Sequence, residues 1–67
     1  MITYKIDVMA ALKSAGYSAY RLRNEKLLTE FAMQKMRDGE PITWPVMAKV
    51  CDLLNCQPGD LIENVPG

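Results

Sequence analysis

"SAYRLRNEKLLTEFAMQKMR", residues 18–37, decides the fold. Two short helical patterns meet in it. Ser18 stands where an N-cap is wanted, with Leu22 as the inward residue of the first pattern. Thr29 caps the second, in which Met33 and Met36 turn inward before Gly39 ends it. At 3.6 residues per turn, Phe31 projects about 160° from Met33 and about 140° from Met36. It therefore lies off the apolar stripe and faces outward beside Glu30. Helices this short are unstable alone. Joined by a turn of three or four residues, they form a unit that sets the second helix proud of the domain, in the manner of a helix offered to the major groove of DNA.

Further helices flank this pair. Upstream, "IDVMAALKSAG" has Asp7 near a helix start, Val8, Met9 and Leu12 on one side, and Gly16 as a left-handed stop. Downstream, "ITWPVMAKVCDLLN" has Thr43 as cap and Pro45 tolerated in the first turn. Its residues Val46, Met47, Val50, Cys51 and Leu54 repeat as a buried stripe. In "QPGDLIE", Pro58 can open a short fifth helix that docks Leu61 and Ile62. The opening "MITYK" reads as a short strand or an ordered arm, and "NVPG" as a frayed tail. Trp44 fits a cover over the core at a helix start, or else a binding platform. Nothing repeats and nothing is of low complexity. The expected architecture is one all-α domain over residues 1–67, a compact bundle of five short helices containing a helix-turn-helix.

Composition narrows the function. A chain of 67 residues buries only roughly 60% of its unfolded surface, which leaves a thin core and favours pairing with a second copy. No histidine is present, so the usual general base and the commonest metal ligand are missing. No enzymatic activity, small-molecule substrate, cofactor or metal is expected. The longest apolar run, Val8 to Leu12, is far below the ~18 residues of a membrane span, so a soluble, cytoplasmic protein is expected. Cys51 and Cys56 are spaced for no four-ligand zinc site, and both are read as reduced thiols, Cys51 within the core.

The net charge of zero hides two unequal halves. Residues 1–37 carry seven basic side chains against three acidic ones, or +4, and residues 38–67 one against five, or −4. Such a split suggests a basic face for an anionic partner.

From Gly16 to Glu63 the chain resembles the Cro and lambda-repressor family of helix-turn-helix domains, in the small single-domain subgroup of bacterial and mobile-element regulators. Ser18, Leu22, Leu28, Thr29, Met33, Met36 and Gly39 carry the motif. "VMAKVCDLLNCQPGDLIE" is similar to the subgroup's fourth helix, Asn-Cys turn and Pro-Gly-Asp fifth helix. The resemblance implies a double-stranded DNA partner, a homodimeric transcriptional regulator acting as a repressor, and base contacts from Glu30, Phe31, Ala32, Gln34 and Lys35. It places Ser18, Tyr20, Arg21, Arg23, Lys26, Thr29 and Arg37 near phosphates. Arg21, Arg23 and Lys26 also fit plain solvated surface, and Tyr17 and Tyr20 fit partial burial. A dimer surface is expected around Leu61, Ile62 and Val65, with the amino-terminal arm as a further candidate. Three departures stand out: Leu27 where the family commonly has a turn glycine, Arg23 where a small residue is common, and Ala19 where many relatives carry glutamine. The competing reading is a protein-interaction module on the same fold, an antirepressor or assembly subunit that meets another protein through Phe31.

Overall fold

A computed structural model describes residues 1–66. Among these residues the order is β1 (Ile2–Tyr4), α1 (Val8–Ser14), α2 (Ala19–Asn24), α3 (Glu30–Arg37), α4 (Trp44–Leu54), a 3-10 turn at Pro58–Asp60 and β2 (Ile62–Asn64). The four helices begin alike. Asp7, Ser18, Thr29 and Thr43 each accept a hydrogen bond from the backbone N–H three residues on, satisfying one of the donors that a helix start leaves open.

They also end alike. After each helix one residue turns left-handed: Gly16, Lys26, Gly39 and Asn55, with φ of 95°, 56°, 74° and 53°. The N–H of the next residue then reaches back to a carbonyl in the last turn. Tyr17 bonds Leu12 at 2.8 Å, Leu27 bonds Leu22 at 2.9 Å, Glu40 bonds Lys35 at 2.8 Å and Cys56 bonds Cys51 at 3.0 Å. This double closure is the Schellman motif, and it brings the side chains at its two ends together. Leu27, which stands where the family commonly has a turn glycine, is not at positive φ. The left-handed residue is Lys26, and Leu27 packs half-buried against the core.

The core lies where α1 meets α3 and α4. Val8, Leu12, Leu22, Leu28, Met33, Met36, Met47, Val50, Cys51 and Leu61 fill it. The turn holding Leu27 and Leu28 is thereby anchored from both sides, which fixes the angle at which α3 leaves α2.

Several expectations are corrected. The fold is mainly helical, with four α-helices among the described residues and a two-stranded antiparallel sheet that pairs Ile2 with Asn64, Thr3 with Glu63 and Tyr4 with Ile62. The anticipated fifth helix is a single 3-10 turn in which Asp60 accepts from Gln57 N at 2.9 Å. Helix nucleation is costly, and Gly59 adds to the cost, so β1 pairing satisfies the following backbone better. Asn64 and Val65 are accordingly paired with the amino-terminal strand, Val65 N donating to Met1 O at 2.7 Å. Gly67 of the expected frayed tail lies outside the described residues. Trp44 does not cover the core, being 81% exposed.

Candidate nucleic-acid interface

The α2–α3 pair carries five basic residues and two acidic ones over residues 18–37, a local charge of +3. Ala32, Met33 and Met36 anchor α3 to the core, and its opposite face is open. Phe31 is 73% exposed at the start of that face, as the helical spacing requires. Lys35, one turn later, lies with its ammonium 5.1 Å from the centre of the Phe31 ring. Ring and cation therefore form one presented unit.

Glu30 is tied to both helices. Its carboxylate accepts from Arg23 Nε at 2.8 Å and faces Arg37 at 3.5 Å. Gln34 Nε2 donates to Asp38 at 3.0 Å, and Lys35 Nζ to Glu40 at 2.8 Å. All of these pairs are partly or well exposed, and such pairs contribute only about 0.2–1 kcal/mol each. Phosphate can therefore compete for the same cations at little cost. The side chains are held in place without being locked away.

Arg21 is held differently. It donates from Nε to Glu25 at 2.6 Å and from a terminal nitrogen to the Gly16 carbonyl at 3.1 Å, and it lies 4.7 Å from the Tyr17 ring centre. The hydrogen bond to Glu25 pushes its already high pKa further up, so the charge persists. These contacts make Arg21 a staple across the α1–α2 turn. Lys26 and Tyr20 are exposed and engage no carboxylate among the described residues. Ser18 and Thr29 accept from Arg21 N at 3.2 Å and Ala32 N at 3.1 Å, and each hydroxyl keeps a proton to donate to phosphate.

Two anticipated contacts are displaced. Ala32 is 4% exposed and packs inward, so it cannot reach a base edge without unseating α3. A helical wheel puts it about 40° from Met36, a signal present in the sequence. Leu61, expected at a dimer surface, is 1% exposed in the domain's own core, because the chain turns there from the 3-10 turn into β2. Ile62 is half-buried and Val65 exposed, so those two remain accessible.

Among the described residues no three His, Cys, Asp or Glu side chains gather to hold a metal, and no helix is long and apolar enough to cross a membrane. Burial pushes the Cys51 thiol up, which keeps it protonated and unreactive.

Two short capped helices joined by a tight turn, with a cationic rim and an outward second helix, define a helix-turn-helix domain. A family model described as the Cro/C1-type helix-turn-helix DNA-binding domain matches residues 5–67, and the chain belongs to that family. No curated protein and no solved structure matches it comparably.

Proposed function

We propose that this protein is a sequence-specific regulator of transcription that binds double-stranded DNA as a homodimer and represses by occupying its site. One observation carries the reading. The exposed start of α3 presents Phe31, Glu30 and Lys35 together, on a helix whose other face is fixed in the core. A phenyl ring packs well on a thymine methyl group, and a carboxylate accepts from cytosine N4. Arg23, Lys26 and Arg37 supply phosphate contacts around that face, with the hydroxyls of Ser18 and Thr29.

Specificity motivates the dimer. One recognition helix reads only a few base pairs, and two copies set one helical turn apart, about 34–36 Å, double the information. Selection of genomic fragments by the purified protein, followed by sequencing of the retained DNA, tests this. An enriched inverted repeat is expected. Retention of random fragments, or of none, rejects the sequence-specific reading, and in the second case Phe31 becomes the contact of an interaction module.

A further inference from the structure

We propose that the open edge of β1 and the apolar groove beside it form the contact through which two copies of this chain associate, Trp44 of each copy seating in the groove of the other. The proposal deepens the dimeric part of the proposed function and moves the contact away from Leu61. The groove has a volume of about 590 Å³, and Ile2, Tyr4, Ile42, Trp44, Pro45 and Ile62 form most of its wall. No charged side chain lines it. Two of its lining side chains are well exposed, Trp44 at 81% and Ile2 at 62%.

The strand supplies a backbone template. Lys5 N donates to Leu61 O at 2.8 Å and Val65 N to Met1 O at 2.7 Å, so odd-numbered residues of this strand face β2. Antiparallel pairing alternates, hence the N–H and C=O groups of Ile2 and Tyr4 point to the other side. That edge has neither proline nor charge within β1, the usual devices that prevent strand addition.

Three observations favour a second copy as the occupant. A short antiparallel edge is self-complementary under a two-fold axis, so one patch serves both partners. An uncharged wall offers nothing to phosphate or to a charged peptide. The chain also exposes 4634 Å², against about 4,250 Å² for a compact monomer of its mass. A small specific interface needs about 600 Å² from each partner, of which a tryptophan supplies roughly 200 Å². The groove meets α3 at Gly39, past its carboxyl end, whereas Phe31 stands at its start. DNA and the second copy therefore occupy different ends of the helix.

The chain has one tryptophan, so its fluorescence reports the groove directly. Sedimentation equilibrium from about 1 μM to 1 mM should show dimerisation in the micromolar range, with Trp44 emission moving to shorter wavelength as dimer forms. Trp44→Ala should weaken association at least about ten-fold, or by 1.4 kcal/mol, and Ile2→Lys should abolish it. Both side chains are exposed, so far-UV circular dichroism and binding to a single half-site should stay as in the parent. A parent that remains monomeric throughout, a parent dimer whose Trp44 emission does not shift, or a dimer that survives either substitution overturns the proposal. Association with the expected shift, in a protein that binds no DNA, sustains this contact while rejecting the DNA reading.

Discussion

Glu30 is where chemistry and electrostatics compete most directly. As a carboxylate at a helix start it stabilises α3 by about 0.3–1 kcal/mol, and as the shared partner of Arg23 and Arg37 it holds two cations in position. It also repels phosphate. Glu30→Gln should therefore cost roughly 0.5–2 kcal/mol of stability while tightening binding to random duplex, because it removes one negative charge and frees both arginines. Under the base-reading hypothesis the same variant loses its preference at one position in each half-site. Binding to ordered and random duplexes measures both effects, and a preference left unchanged reduces Glu30 to a positioning residue. Phe31→Ala should leave the fold intact, since the residue is 73% exposed, and should cost roughly 1–3 kcal/mol on the preferred site with little change on random DNA. Equal losses on both duplexes would remove the ring from base recognition. Cys51 carries a separate expectation. Its thiol pKa is raised in the folded state by burial, so the stability from keeping it protonated is fully present below about pH 8.5. That stability is lost as pH rises past this value, where the unfolded thiol ionises first. Cys51→Ala should flatten the alkaline fall in melting temperature, apart from any constant cost of the lost sulfur.

At the scale of elements, the four Schellman closures share one geometry and differ in what fills it. Two use glycine and one asparagine, residues that tolerate the left-handed region, while the motif turn uses Lys26. Lys26→Gly should relieve backbone strain and stabilise the domain by about 0.5–1 kcal/mol, raising the melting temperature by about 3–6 °C. Lys26→Val should move it down, and calorimetry distinguishes these outcomes. The same set explains what was legible beforehand. N-caps and glycine stops were readable because each is decided within four residues, and the inward methionines because a 3.6-residue period fixes their face. The left-handed Lys26 was not readable, since nothing in a lysine announces positive φ and the family's glycine pointed to Leu27. The sheet was legible only in part, since "MITYK" reads as a strand or an arm while its partner does not read as a strand. Strands of three residues have no room for a period-two pattern, and their partners lie some sixty positions apart. The outward direction of Phe31 followed from helical spacing. Position just after the cap turns Ala32 outward whereas its angle to Met36 turns it inward, and a large apolar residue at a helix start fits either a core cover or an exposed platform, so sequence alone does not choose for Trp44.

The whole molecule divides its charge, +4 over residues 1–37 and −4 over residues 38–67, which orients the domain in the field of a polyanion. Its DNA affinity should then fall linearly with the logarithm of salt concentration, with a slope of about −0.9 per neutralised phosphate. Four cations of the helix pair are free to contribute: Lys26 directly, and Arg23, Lys35 and Arg37 after exchanging weak exposed pairs for phosphate. Arg21 is bound three ways inside the domain and should contribute little. One copy on a half-site should accordingly give a slope near −3.5, and two copies on an inverted repeat a slope near −7. Lys26→Ala should lower the single-copy value by about 0.9 without loss of stability. Arg21→Ala should do the reverse, leaving the slope alone while lowering the melting temperature as the α1–α2 turn loses its staple. Titrations at several salt concentrations on half-site and full-site duplexes read all of these at once. A slope near zero for the parent rejects phosphate binding by this face, and equal slopes on the two duplexes reject occupancy by two copies.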